Sequence, residues 1–190
     1  MTGKVLAEAR WRRLDGPGED KCRLIEEPGG FMLTGHARFG VGGSEAALDY
    51  IVRCDRDWRT TSADVAGFFH EEEAAWRIKR DSDGWMLNEK PSGLAECVDI
   101  DLAMTPATNL LPIRRLSIAK GCRAEVTAAW FRPDEGGRLD PLVQSYSCLT
   151  SEHVHYASFG FQAVLHIHPS GFVTEYEGLW EGEVNDQSAG

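Results

Sequence analysis

Four histidines stand in two pairs with a spacing of two: His153 and His155, then His166 and His168. In an extended chain that spacing returns each side chain to the same face. A hairpin turning at Gly160-Phe161, with glycine first in a type II′ turn, sets His153 opposite His168 and His155 opposite His166. Four imidazoles on one face could hold zinc or copper. The same register gathers Val154, Tyr156, Ala163, Leu165 and Ile167 on the other face. It therefore describes equally well a strand pair with its apolar side inward and its histidines in solvent. No carboxylate is evidently placed to orient the rings, and no metal or other cofactor is expected.

A second candidate is the stretch from Cys97 to Leu116, where acids, prolines, turn formers and arginines are densest. Val98, Ile100 and Leu102 alternate with Asp99 and Asp101, the pattern of a strand with one apolar and one acidic face. Paired carboxylates serve glycoside hydrolysis, but usually from separate elements on opposite sides of the scissile bond. Two acids on one strand face more often meet arginine or a cation. Thr105-Pro106 and Leu111-Pro112 push the residues before proline out of the helical region. Thr108 and Asn109 can close a turn between them. Arg114 and Arg115 then come within reach if the chain folds back. The stretch reads either as an ion-paired corner or as the polar rim of a cavity. In both readings Asp99 and Asp101 are expected within ion-pair reach of Arg114, Arg115 or another arginine.

Other chemistries leave no trace. Ser44, Ser62, Ser145 and Cys97 lack the Gly-x-Ser-x-Gly context of a nucleophile elbow. Gly40-Val41-Gly42-Gly43 lies between short strands with no helix to follow, so it is a turn and not a phosphate loop. The net charge of −10 opposes nucleic acid and anionic lipid surfaces. No apolar run approaches the ~20 residues of a membrane helix. Residues 1–13 carry Lys4, Glu8, Arg10, Arg12 and Arg13 without the apolar centre of a secretory signal. The five cysteines are scattered without a Cys-x-x-Cys pair, so disulfides are not expected. A cytoplasmic location follows as the expectation. No feature sets an oligomeric state.

The elements that must position these residues are strands. Hydrophobic residues make up 42% and charged residues 26%, enough for a globular core. Period-two alternation interrupted by glycine turns recurs from residue 8 to 181. Ala46–Cys54 puts Leu48, Tyr50 and Val52 on one face. Residues 71–80 alternate as well, and Asp83-Gly84 after them marks a hairpin. About a dozen short strands at intervals of roughly ten residues predict an all-β, mainly antiparallel chain with little helix. The expected form is one domain over 1–190, a curled sheet, β-roll or incomplete barrel with its core at 8–181. Residues 182–190 read as a polar, frayed tail. Six tryptophans either fill such a core or line a cavity within it. Trp58 beside Arg59, close after Tyr50, is the pairing best suited to a cavity rim.

Three stretches taken together resemble a known family. They are Leu48-Asp49-Tyr50-Ile51-Val52-Arg53-Cys54-Asp55-Arg56-Asp57-Trp58-Arg59-Thr60, then Cys97–Leu116, then Gly171-Phe172-Val173 with Tyr176 and Gly178-Leu179-Trp180. The chain is similar, from about Trp11 to Trp180, to the bacterial proteins labelled "putative glycolipid-binding". That resemblance implies a curled antiparallel sheet, like the carriers that hold acyl chains in a concavity. It implies a lipid or glycolipid ligand and transfers no catalytic residue. The rim residues expected to set headgroup choice are Tyr50, Trp58, Arg59, Asp99, Asp101, Asn109, Arg114 and Arg115. An enzyme acting on a small polar substrate through Asp99 and Asp101 or a histidine-bound metal is the alternative. A ligand-free scaffold for protein contacts is the third reading.

Overall fold

The computed structural model describes residues 3–186. The first half of the chain forms β1 (Lys4–Arg13), β2 (Gly18–Glu27), β3 (Gly30–Val41), β4 (Ser44–Asp55), β5 (Thr60–Phe69), β6 (Glu72–Asp81), β7 (Gly84–Leu87) and β8 (Lys90–Gly93). The short β9 (Ile100–Leu102) leads through a 3₁₀ turn into the helix α1 (Leu110–Leu116). The second half adds β10 (Arg123–Arg132), β11 (Arg138–Cys148), β12 (His153–Ser158), β13 (Phe161–Ile167), β14 (Val173–Tyr176) and β15 (Trp180–Asp186). All fifteen strands belong to one sheet, in the order 8-7-6-5-4-3-2-1-15-14-13-12-11-10-9. The pairings are antiparallel except for β9 on β10. β8 and β9 are the two edges and do not pair, so the sheet is curled and open.

Alternation explains the strands. In β1, Ala7, Ala9 and Trp11 are buried; in β4 Ala46, Leu48, Tyr50, Val52 and Cys54 are. The residues between them carry charges that pair across the convex face, as Arg23 does with Glu8 at 2.7 Å. Residues 71–87 form the expected hairpin, but Asp81 pairs with Gly84, so the two-residue turn is Ser82-Asp83 and not Asp83-Gly84. The curl brings distant strands together. The Trp76 ring of β6 meets Phe131 of β10 edge-on at 5.4 Å. The Trp85 indole of β7 donates to the Cys97 carbonyl at 2.9 Å.

The concavity of this sheet is occupied by the chain itself. Met104 through Pro112 are buried without a break. Thr105 bonds Asp20 of β2 and Tyr50 of β4, while Asn109 accepts from Tyr146 of β11 at 3.2 Å. Those strands stand far apart in the sheet order, so the segment lies between the two halves. Leu110, Leu111 and Phe172 fill the space with apolar volume.

Two expectations need correction. Residues 110–116 are a helix where two proline corners were expected. Pro112 is its third residue, and the first four N–H groups of a helix have no intrahelical partner, so the missing donor costs nothing there. The polar end is not frayed through residue 186: β15 pairs with β1 from Arg13↔Trp180 to Ala7↔Asp186. Residues 187–190 of the expected tail lie outside the described residues.

Candidate functional site

A pocket of about 330 Å³ opens beside Asp101, which lines it together with its β9 neighbour Leu102. The parallel ladder sets Asp101 across from Trp130, and Ile100 and Leu102 are buried on either side of it. The pocket walls include Asp101, Thr105, Asn109, Trp130, Tyr156, Phe161, Tyr176 and Trp180. The rings of Tyr156, Phe161 and Tyr176 stand 5.7–6.3 Å apart, centroid to centroid, and form one wall. Such tilted contacts are favourable for aromatic rings and hold them firmly.

A buried amide organises the polar side. The Gln144 Nε2 group donates to Asp101 Oδ2 at 2.5 Å and to the Tyr156 hydroxyl at 3.1 Å. The Tyr146 hydroxyl has Gln144 Oε1 and Asn109 Oδ1 both within 3.2 Å. This satisfies the polar atoms of Gln144, which is 2% exposed. The surrounding protein strips water from Asp101 and pushes its carboxyl up to about 6, against the bond from Gln144. Burial drives the Tyr156 hydroxyl to about 12 and that of Tyr176 well above its ordinary value. The pocket therefore offers one carboxylate, an amide and neutral phenols beside flat apolar faces.

A second buried network lies under it. The Tyr50 hydroxyl is 3.0 and 3.2 Å from the two oxygens of Asp20, and the Thr105 hydroxyl donates to the same carboxyl. Asp20 and Tyr50 are each 1% exposed. Burial pushes Asp20 up to about 7. The phenol fits because position 35 of β3 is glycine: a Cβ there would overlap the Tyr50 hydroxyl and crowd the Lys21 carbonyl. Tyr50 is thus an interior residue, not part of a rim.

Asp99 is also interior. It is 1% exposed, and the Arg115 guanidinium grips it with Nε at 3.0 Å and Nη2 at 2.5 Å. This forked pair is the geometry that suits carboxylate to arginine best. The expectation of an arginine partner holds for Asp99 and fails for Asp101, whose partner is Gln144. Among the described residues no arginine pairs with Asp101. The two acids take different partners, Arg115 for Asp99 and Gln144 for Asp101. Arg114 turns away to the loop after β13, donating to the Pro169 carbonyl at 2.9 Å and to that of Ser170 through Nε, also at 2.9 Å. Its guanidinium lies 5.7 Å over the Trp58 ring, which also stacks on Phe31 at 3.8 Å. Arg59 is exposed, and its backbone N–H closes the turn on Asp55 at 2.9 Å. Of the eight expected rim residues, Asp101 and Asn109 line this pocket.

The histidine hairpin forms with another register. Ser158 pairs with Phe161, so the turn is Phe159-Gly160 and His153 faces His166, while His155 faces Val164. His168 lies beyond the end of β13 and bonds the Ser170 hydroxyl at 3.0 Å. The slip is two residues, which preserves the faces and changes every partner. Glycine takes the second central position, at φ 70°, because the tight turn accepts it there as readily as at the first. Among the described residues no group of three or more His, Cys, Asp or Glu is arranged to hold a metal ion.

Gln144, Tyr146, Tyr156, Tyr176 and Asp20 were not foreseen as site residues. The sequence carries a signal for some of them. Gln144 shares the inward parity of Tyr146 in β11, and Asp20 shares that of Cys22 and Leu24 in β2. A polar residue on an otherwise apolar face must find a buried partner.

A family model described as "Putative glycolipid-binding" matches residues 8–182. The crystal structure of a DUF1089 family protein from Pseudomonas aeruginosa superposes with a TM-score of 0.76 at 28% identity, over 90% of this chain and 94% of that one. No curated protein matches. With its model spanning nearly the whole sequence, the chain belongs to the family described as "Putative glycolipid-binding".

Proposed function

We propose that this protein binds a glycolipid by taking the sugar headgroup into the Asp101 pocket. The observation that carries this reading is the combination found there: a carboxylate and the Asn109 amide facing a wall of Tyr156, Phe161 and Tyr176. Sugar rings present hydroxyls at their edges and C–H groups on their faces. The ionised Asp101 accepts two hydroxyl donors, and the rings cover the apolar face of the sugar. Sites of this kind place a few polar groups in an aromatic cleft. The acyl chains remain outside, because residues 104–112 fill the concavity that a carrier would offer them.

Calorimetric titration with a panel of methyl hexosides and with octyl glucoside tests this. At least one should bind, and Asp101→Asn should weaken it about tenfold or more, the loss expected for a hydrogen bond to a charged group. Binding should strengthen as pH rises through about 6, where Asp101 ionises. A panel without a binder, or one indifferent to Asp101→Asn, overturns the reading.

A further inference from the structure

We propose that the tip of the β12–β13 hairpin is a bilayer-contact surface, from which the protein takes its glycolipid out of a neutral membrane. This rests on the headgroup reading of the Asp101 pocket. Phe159 sits at the apex of the two-residue turn and is 96% exposed. No other large apolar side chain is so open among the described residues. Folding gains nothing from such a placement, since the ring leaves no water.

The ring has company. β11 and β12 pair through Gln144↔Ser158. Continuing that antiparallel register by one residue sets Val143, itself 53% exposed, beside Phe159. Pro141 and Leu142 border the same shallow groove, which Arg123 and Glu125, paired with each other at 3.6 Å, also line. From Ala157 to Phe161, and from Pro141 to Val143, there is no charged residue. Phe159 also stands at the mouth of the Asp101 pocket. A single aromatic ring projecting from a turn, uncharged along its own two strand ends and with the Arg123–Glu125 ion pair on the same groove, suits the headgroup–acyl boundary, where an amphipathic surface gains most. Position completes the case: a headgroup entering the pocket has its acyl chains at Phe159. The net charge of −10 repels anionic lipid, so the matching surface is zwitterionic.

The test is flotation with phosphatidylcholine vesicles, with and without glucosylceramide, using wild-type protein, Phe159→Ser and Val143→Ser. Both positions are exposed, and unchanged thermal unfolding confirms that the variants fold. The wild type should float with the glycolipid vesicles, and each substitution should lower the bound fraction about tenfold. Val143 lies outside the pocket, so Val143→Ser should titrate soluble methyl hexosides as the wild type does. Equal flotation of all three proteins overturns the contact surface and leaves the headgroup reading standing. Failure of the wild type to bind any soluble hexoside overturns the headgroup reading. If it still floats on plain phosphatidylcholine in a Phe159-dependent way, the contact surface stands. Wild-type dimers in sedimentation velocity that Phe159→Ser dissociates, with no flotation, assign the tip to a second copy and overturn the proposal.

Discussion

Asp99 and Asp101 are two residues apart in one extended segment, yet they meet opposite environments. Asp99 faces the interior beside α1, where Arg115 supplies a forked partner and water is excluded. Asp101 faces a pocket, where its partner is the neutral amide of Gln144 and one side stays open to solvent. Charge compensation separates the roles. A carboxylate neutralised by a buried guanidinium is committed to the fold. A carboxylate held by an amide retains acceptor capacity and a perturbed pKa, the usual marks of a binding group.

The comparison breaks most visibly at Arg115. Arg115→Ala leaves Asp99 charged, buried and unpaired, and should destabilise the fold by about 3–5 kcal/mol in urea unfolding. If that variant unfolds like the wild type, the pair is not structural.

The pH dependence comes next. Burial raises Asp20 to about 7 and Asp101 to about 6, so each binds its proton more tightly folded than unfolded. Between about pH 4 and 7 the folded state therefore holds extra protons, and stability contributed by these groups falls as pH rises. Asp15 and Asp140, which arginines hold below the usual carboxylate range, act in the opposite sense at lower pH. Asp20→Asn should flatten the decline of unfolding free energy over that window by a few kcal/mol. An unchanged slope would show that Asp20 does not carry it.

Asp101→Asn separates the two acids directly. It should change stability by less than about 1 kcal/mol at pH 6, because it replaces a group already half neutral there, while weakening hexoside binding about tenfold or more. A stability loss as large as that of Arg115→Ala would erase the distinction. The smallest effect is expected on the convex face. Arg12 and Glu181 pair at 2.8 Å with both side chains well exposed, so Arg12→Ala should cost under about 1 kcal/mol and vanish in high salt.

Much of the fold was legible because a strand reports itself locally. The alternation of Ala46, Leu48, Tyr50 and Val52 names the buried face of β4 without any knowledge of its neighbours. The Asp83-Gly84 signal likewise announced the β6–β7 hairpin, one residue away from its Ser82-Asp83 turn. Register was less legible. The histidine hairpin has two glycine-compatible turns two residues apart, and both keep Val154 and Leu165 inward. Only neighbouring strands choose between them, and β11 and β14 do so through Tyr146↔Tyr156 and Leu165↔Tyr176. The helix at 110–116 was hidden by Pro112, which reads as a breaker unless it is known to fall in a first turn.

The candidate site was legible only at Asp101 and Asn109. Tyr50, Trp58 and Arg114 looked like rim residues because polar and aromatic side chains are equally suited to buried networks and to ligand contact. The sequence by itself determined the strand content, the faces, the acidic surface and the family. The tertiary structure alone decided that the Cys97–Leu116 segment fills the concavity. Once that space was taken, the one acid of the segment left facing outward, Asp101, became the acceptor in a pocket. That outcome depends on which side chains from β2, β4 and β11 meet across the curl, contacts spanning up to 85 residues of sequence. Local pattern cannot encode a meeting of that range, whereas packing density leaves it a single solution.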